Sequence, residues 1–216
     1  MTKPIPWATI AGLVVALLVP FAMYAVALLV IGPEITVTSS LVGLANHWIE
    51  LAVLITIVLA WEHQSFASIG VKRLRWWTVP AGIVAALAIM LLAGVLVKTL
   101  GLQTDTRFAQ SLQSLPFFLR VLLVLTAGIF EETLYRGYAT ERLTSLLGNK
   151  WLAGLCTVMC FVLAHVPAVG WSHILPVALV SILITLLYLW RRDLVLNMVA
   201  HSTIDALGLL LPHAGS

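Results

Sequence analysis

Long apolar stretches are the feature that most constrains the fold of this chain. The run from Ile10 to Ile31 holds no charged residue, and eighteen or more consecutive apolar residues are typical of a transmembrane helix. The chain is 61% hydrophobic and only 10% charged, so a water-soluble fold would expose large apolar patches. The sequence therefore predicts an all-α, polytopic membrane protein.

Seven transmembrane helices are predicted from the apolar runs and from the charged residues, prolines, glycines and interfacial tryptophans that bound them. They cover about residues 8–31, 41–61, 78–98, 116–135, 151–168, 173–190 and 194–211. We expect one membrane domain with two parts. Residues 1–100 form N-terminal transmembrane helices with an amphipathic cytoplasmic connection, and residues 115–211 form a functional core from the last four spans.

Basic residues are distributed unevenly between the two sides of the predicted bundle. The side of the N-terminus holds Lys3, Lys72, Arg73, Arg75, Arg136, Arg142, Lys150, Arg191 and Arg192, and the other side holds Lys98, Arg107 and Arg120. The positive-inside rule therefore predicts a cytoplasmic N-terminus. The short loops favour a bacterial inner-membrane protein surrounded by lipid. Because the net charge of +3 is small and scattered, we expect no nucleic-acid partner.

Two adjacent glutamates, Glu131 and Glu132, end an apolar run in a chain with only nine acidic residues. A charge at the centre of a membrane helix costs roughly 2.5–3.5 kcal/mol on insertion scales, so such groups need partners or a function. Glu132 and Arg136 are four residues apart and share a helix face, where they can pair. Glu131 points about 100° away from them and is left to act as a base. The alternative is an interfacial charge cluster at a helix end.

Two later spans bring further ionisable groups. His165 ends the fifth apolar run, one turn after Phe161, whose ring can pack behind the imidazole. His201 and Asp205 are four residues apart in the last span, where a carboxylate can fix the tautomer of the imidazole. The alternatives are a core histidine for His165 and a local hydrogen-bonded pair for His201 and Asp205. In the first three spans, His47 and Glu50 are the ionisable residues that lie farthest from helix ends and connections.

The combination of glutamates, histidines, an aspartate and an arginine on three helices suits amide hydrolysis by activated water. Neither a Gly-x-Ser-x-Gly elbow nor a His-Glu-x-x-His motif is present. Glu131-Glu132-x-x-x-Arg136, then Phe161-x-x-x-His165, then His201-x-x-x-Asp205 resemble the three ordered motifs of the CAAX-protease and bacteriocin-processing family, also called Abi or CPBP. The members of that family are intramembrane endopeptidases.

The resemblance implies a role for each residue of the three motifs. Glu131 corresponds to the glutamate that activates water, with Glu132 and Arg136 as its supporting pair. His165 and His201 correspond to two essential histidines in a cavity open to the cytosolic side. Asp205 stands where the CAAX endoprotease has asparagine. Because an ionised aspartate does not donate a hydrogen bond to an oxyanion, we expect Asp205 to orient His201, to bind a metal or to be protonated.

The resemblance predicts an intramembrane endopeptidase that hydrolyses a peptide bond in a membrane-associated protein or peptide near the cytoplasmic face. A divalent metal such as zinc is one expectation, with Glu131, His165, His201 and Asp205 as candidate ligands. A metal-free mechanism based on Glu131 is the other, and the sequence does not choose between them. Two alternatives stand beside the protease: a non-catalytic immunity or peptide-binding protein of the same fold, and a proton-coupled transporter. Transport is less favoured because the ionisable groups gather in the last four spans.

Overall fold

The structure is a computed structural model that describes residues 6–102, 107–171 and 174–210, and within these ranges it is helical and has no strand. Five elements are long and apolar enough to cross a membrane. They are α1 (Trp7–Val30), α2 (Val37–Thr56, extended by a π-helical turn Ile57–Trp61), α3 (Thr78–Thr99), α7 (Lys150–Val169) and α8 (Ile174–Arg191). The shorter helices are α4 (Arg107–Gln113), α5 (Phe117–Glu131), α6 (Thr140–Leu147) and α9 (Leu194–Leu209).

The all-α, membrane-spanning architecture predicted from the sequence is confirmed, whereas the count of seven spans is not. The predicted fourth span corresponds to α5, whose charged residues Arg120 and Glu131 interrupt its apolar character. The predicted seventh span corresponds to α9, a shorter apolar helix of 16 residues. Lys3 and the predicted span ends at positions 173 and 211 lie outside the described residues.

Helix α5 does not end at the glutamate pair. It continues through a π-helical segment, Glu132–Ala139, directly into α6, so that residues 117–147 form one helical rod. At 1.5 Å per residue the rod is roughly 45 Å long. The helix therefore continues as far as Leu147, where Gly148 ends it with a left-handed φ of 65°.

The antiparallel helices give the bundle two ends. One end, here called the α6 face, holds the beginnings of α1, α3, α7 and α9, the ends of α2 and α8, and helix α6. The backbone N–H of Leu194 donates there to the carbonyl of Gly70. The opposite end, the α4 face, holds α4 and the other helix ends. Gln113 at the end of α4 donates there to the carbonyl of Gly208, and Arg120 donates to the carbonyl of Leu209.

Ion pairs tie the elements of the α6 face together. The guanidinium of Arg142 donates to both carboxylate oxygens of Glu62, at 2.6 Å to Oε2, and also to the carbonyl of Ser68 at 3.0 Å. Tyr138 donates to the same Glu62 carboxylate at 2.8 Å. A second ion pair joins Arg192, beyond α8, to Glu141 of α6. These contacts fix the rod of residues 117–147 to the ends of α2 and α8.

The Glu62 carboxylate is expected to make the α6 face sensitive to acid. Burial raises its pKa, but hydrogen bonds from Arg142 and Tyr138 together with the Arg142 charge outweigh burial and hold the pKa below its ordinary value. A group whose pKa is lowered on folding contributes stability above its unfolded pKa, and that stability is lost as the pH falls through the folded value. Below the ordinary glutamate pKa of about 4.3, the Tm in detergent should therefore fall more steeply for the wild type than for Glu62→Gln. Equal slopes would contradict this role.

Two glycines allow α9 to pack closely against its neighbours. A Cβ on Gly128 of α5 would lie 2.1 Å from Ser202 Oγ and 3.1 Å from the carbonyl oxygen of Met198. A Cβ on Gly82 of α3 would lie 2.6 Å from Cγ1 of Val199. Small residues permit such close contact between membrane helices. Helix α9 is thereby held against the helix that ends in the glutamate pair.

Gly128→Ala is expected to destabilise the bundle by about 1–3 kcal/mol, because the added methyl group overpacks the contact between α5 and α9. Gly94→Ala is the matched control, since a Cβ at Gly94 would meet no atom within 4 Å. Unfolding of both variants in detergent measures the difference. Equal stability of the two variants would show that the close approach at Gly128 is not required.

Candidate active site

A buried ion pair forms the base of the site. The side chains of Glu132 and Arg136 are 0% and 1% exposed, and Arg136 Nη1 donates to Glu132 Oε1 at 3.0 Å. The remaining guanidinium donors bind α8, with Nη2 2.9 Å from Ser181 Oγ and Nε 3.3 Å from Thr185 Oγ1. The pairing predicted from the four-residue spacing is confirmed. The arginine thus compensates a carboxylate whose burial alone would be costly.

The same carboxylate orients His201. Glu132 Oε1 lies 2.7 Å from His201 Nδ1, and Glu132 Oε2 accepts from Asn197 Nδ2 at 3.1 Å. A carboxylate oxygen accepts, so the proton of the neutral imidazole is on Nδ1 and the Nε2 atom is left for other contacts. The hydrogen bond of the ring is therefore made with Glu132, and the role expected for Asp205 stays a prediction.

Two further carboxylates approach the other nitrogen of the ring. His201 Nε2 is 3.6 Å from Glu131 Oε2 and 3.6 Å from Asp205 Oδ2. Both distances exceed that of a direct hydrogen bond. The Glu131 and Asp205 side chains are 18% and 29% exposed, in contrast to the fully buried Glu132. Glu131 is therefore a carboxylate accessible to water beside a histidine nitrogen with a fixed orientation.

Helix α7 contributes His165, and Phe161 links it to the other motifs. His165 Nδ1 lies 2.8 Å from the carbonyl oxygen of Phe161. A carbonyl only accepts, so His165, like His201, carries its neutral-form proton on Nδ1. The Phe161 ring stacks on His165 with centroids 4.3 Å apart, as expected from the sequence, and its centroid is 6.2 Å from that of His201. The two imidazole centroids are therefore no farther apart than the sum of these distances.

Phe161 also packs on the buried ion pair, with Arg136 Cζ 4.4 Å from the centroid of its ring. This geometry allows a cation–π attraction. The ring of Phe161 is thus in contact with both His165 and Arg136. The three sequence motifs, which come from α5 with its π-helical continuation, α7 and α9, are brought together at one place.

The four predicted metal ligands do not surround a common point. Across residues 6–102, 107–171 and 174–210, no group of three His, Cys, Asp or Glu side chains is arranged to hold a metal ion. His201 Nε2 has two carboxylates near it, but at 3.6 Å, and the Nδ1 hydrogen bonds of both histidines leave their Nε2 atoms for other contacts. The side chains as they stand do not form a metal centre, and metal dependence stays a prediction.

Sequence reasoning missed the polar residues that support the ion pair. Asn197 is fully buried and donates to both Glu132 and the carbonyl of Ile184. Ser181 and Thr185 of α8 bind Arg136. A signal was available, because Asn197 precedes His201 by four residues and Ser181 precedes Thr185 by four, so each pair shares a helix face. Because their side chains carry no charge, these residues do not stand out in an apolar run as the glutamates and histidines do.

Helix α2 also borders the site, although it belongs to the N-terminal half. The His47 ring stacks on Phe130 of α5 with centroids 4.2 Å apart. Glu50, one turn further along α2, is 5% exposed, and its Oε1 has no hydrogen-bond partner among the described residues. Of the two residues that stood out in the first three spans, His47 therefore lies against the helix that carries Glu131.

Known proteins resemble the part of the chain that carries the three motifs. Residues 113–207 match the family described as Rce1-like, type II CAAX prenyl endopeptidase. A relative in Lactococcus lactis subsp. lactis (strain IL1403), the UPF0177 protein YxdF, is 25% identical over 172 residues, which are 73% of this chain and 90% of the relative. UPF0177 proteins belong to the CPBP group. No solved structure matches. The resemblance found in the sequence is confirmed.

Proposed function

We propose that this multi-pass membrane protein, whose residues 113–207 match the Rce1-like family, is an intramembrane endopeptidase with Glu131 as its base. One observation carries the proposal. The accessible Glu131 lies beside Nε2 of His201, while the buried Glu132, paired with Arg136, binds Nδ1 on the opposite side of the ring. This arrangement separates a reacting carboxylate from a supporting one.

In the proposed reaction, the carboxylate of Glu131 accepts a proton from a water molecule as the water oxygen attacks the scissile carbonyl carbon. The C=O electrons move to the oxygen, and protonated His201 or His165 donates from Nε2 to this oxyanion. When the intermediate collapses, the C–N bond breaks and Glu131 returns the proton to the leaving amine. The products are a carboxylic acid and an amine, and the Glu131 carboxylate is restored.

Asp205 takes a supporting part in this proposal. When His201 is protonated, the carboxylate of Asp205, 3.6 Å from Nε2, offsets its charge without displacing the Nδ1 hydrogen bond to Glu132. An ionised aspartate has no hydrogen-bond donor for the oxyanion, so that task falls to the imidazoles. No step in this proposal uses a metal.

The substrate is proposed to be a peptide or a segment of a membrane protein, and the location is the inner membrane of a bacterial cell. Five helices, α1, α2, α3, α7 and α8, are long and apolar enough to cross a bilayer, which supports a site at the membrane. The expected substrate therefore presents its scissile bond at or within the membrane boundary.

The test is cleavage of a peptide library by the purified protein in detergent, with wild type compared with Glu131→Gln. Cleavage by the wild type alone is the expected result. Failure of the folded wild type to cleave, with retained peptide binding, would favour the non-catalytic peptide-binding alternative. A chelator added to the wild type is expected to leave the rate unchanged, and loss of activity that zinc restores would replace the proposed route with a metal-dependent one.

A further inference from the structure

We propose that basic residues at the junction of α3 and α8 form a binding site for the phosphate of an anionic membrane phospholipid. The site consists of the side chains of Lys72, Arg73, Arg75 and Arg191, called the basic patch below. It lies on the α6 face, apart from the six residues of the candidate active site, and binding there does not depend on peptide cleavage. Its position, its charge and the neighbouring tryptophans support the proposal.

The basic patch lies where two helices reach the surface of the bilayer. Helix α3 begins at Thr78, just after residues 72–75, and α8 ends at Arg191. Both helices are long and apolar enough to cross a membrane, so these ends come to the level of the lipid headgroups. The ammonium of Lys72 donates to the carbonyl oxygen of Arg191 at 2.7 Å and joins the two parts of the patch. Four cationic side chains are therefore placed at the depth of the lipid phosphates.

The protein does not neutralise the positive charge of the basic patch. Of the acidic residues at this end of the bundle, Glu62 is bound to Arg142. Glu141 is likewise bound to Arg192, and the buried Asp193 caps α9. In the part of the chain that the structure describes, no carboxylate forms an ion pair with the four cations. An anionic headgroup complements this charge, and basic pockets between transmembrane helices are typical sites for such headgroups.

Two guanidinium groups of the basic patch are held beside one tryptophan ring. Arg75 Cζ lies 5.8 Å and Arg191 Cζ 5.4 Å from the centroid of the Trp77 ring. Arg191 Cζ is also 5.2 Å from the centroid of the Trp190 ring. Cation–π contacts of this kind restrict the side chains without using their N–H donors. Those donors are left for phosphate oxygens, which a guanidinium binds in a bidentate manner.

Exposed apolar side chains beside the basic patch suit the hydrophobic part of a lipid. Trp76 is 89% exposed, Trp190 75% and Leu74 62%. Tryptophan is enriched at the membrane–water interface, and apolar residues among basic ones enter the boundary between headgroups and acyl chains. A soluble anion would leave these apolar side chains in water. The patch and its apolar neighbours therefore fit a lipid better than free phosphate.

The connection that carries residues 72–75 is anchored to helices of the candidate active site. The carbonyl of Gly70 accepts from the backbone N–H of Leu194 at 2.8 Å, at the start of α9. The buried Ile69 belongs to the same apolar cluster as Phe130 and Leu134. A headgroup bound at the basic patch recognises an arrangement that exists only in the folded protein. Binding should therefore raise the Tm, as any ligand specific for the native state does.

The dependence of the Tm on added lipid tests the proposal. The purified full chain in a non-ionic detergent is titrated with phosphatidylglycerol and, separately, with phosphatidylcholine of the same acyl chains and with inorganic phosphate. Only phosphatidylglycerol is expected to raise the Tm, because it alone combines a net negative charge with acyl chains. An equal rise with phosphatidylcholine, or a full rise with inorganic phosphate, would overturn the proposal. The Tm does not require cleavage, so the outcome is independent of a failure of the proposed function.

Variants of the basic patch locate the binding site. Each cation removed should raise the phosphatidylglycerol concentration at half of the Tm shift about fivefold, and the double variant Arg75→Gln, Arg191→Gln about 25-fold. Arg73→Gln removes an exposed charge and keeps the test decisive if the double variant does not fold. Lys98→Gln is the matched control at the opposite end of α3 and should leave the titration unchanged. An undiminished response of the patch variants, or an equal loss in Lys98→Gln, would overturn the assignment.

Discussion

Replacing Glu131 with glutamine is expected to lower the rate of peptide cleavage by about 10²–10⁴-fold, the usual contribution of a general base. Glutamine keeps the size of the side chain but has no carboxylate to accept a proton from water. The fold should persist, because Glu131 is partly exposed and lies outside hydrogen-bond distance of His201. The measurement is kcat/KM on a peptide cleaved by the wild type, together with the Tm of both proteins.

Glu34→Gln is the matched control for this variant. It makes the same chemical change at an exposed glutamate between α1 and α2, and its rate should stay within about twofold of the wild-type rate, as expected where no general base is removed. A Glu131→Gln protein that keeps more than a tenth of the wild-type kcat/KM would exclude Glu131 as the base. A parallel loss of Tm would instead indicate a structural role.

Replacing Arg136 with methionine is expected to cost about 3–5 kcal/mol of stability, because it leaves an uncompensated carboxylate inside the protein. Arg136 is 1% exposed and binds Glu132, Ser181 and Thr185 at once. The loss should appear as a lower free energy of unfolding in detergent. Activity should fall as well, because Glu132 also orients His201.

Arg73→Met is the control, since Arg73 is exposed on the α6 face, and it should change stability by less than about 0.5 kcal/mol. The double variant Glu132→Gln, Arg136→Met removes both charges and should be more stable than Arg136→Met alone. Such non-additivity is expected for residues in direct contact. If Arg136→Met unfolds like Arg73→Met, the ion pair does not determine stability.

Local spacing in the sequence was enough to predict contacts within one helix. The pairing of Glu132 with Arg136 and the stacking of Phe161 on His165 both follow from the four-residue periodicity of a helix. The all-α membrane fold follows from the length of the apolar runs. These predictions needed no knowledge of how one helix packs on another.

Contacts between helices were harder to predict. In the sequence, only Asp205 stands out as a residue that could orient His201, because it lies four residues away on the same helix. Glu132 was expected to pair with Arg136 alone. The structure instead brings Glu132 from another helix to 2.7 Å from Nδ1. Which carboxylate reaches Nδ1 depends on how far α5 and α9 are shifted along each other. The close contact of Gly128 with α9 fixes that shift. No periodicity in a single helix contains that information.

The number of membrane spans could not be predicted from hydropathy alone, because it also depends on how the helices pack. Length and hydropathy identify helices that meet lipid, but α5 and α9 carry the polar residues of the site and are short. Helix α2, by contrast, has the length and hydropathy of a lipid-facing span but also borders the site. It looks like an ordinary span, yet His47 stacks on Phe130 of α5.

The π-helical segment Glu132–Ala139 is buried on all sides, and this has a consequence for the response to membranes of different thickness. Helices with apolar side chains facing lipid tilt or shift to match the hydrocarbon thickness. A segment with no lipid-facing side chain is affected by a difference between helix length and bilayer thickness only through the helices packed against it. Outer helices such as α1, with many exposed apolar residues, can therefore adjust to a thicker or thinner bilayer while the geometry around Glu132 and Arg136 is preserved.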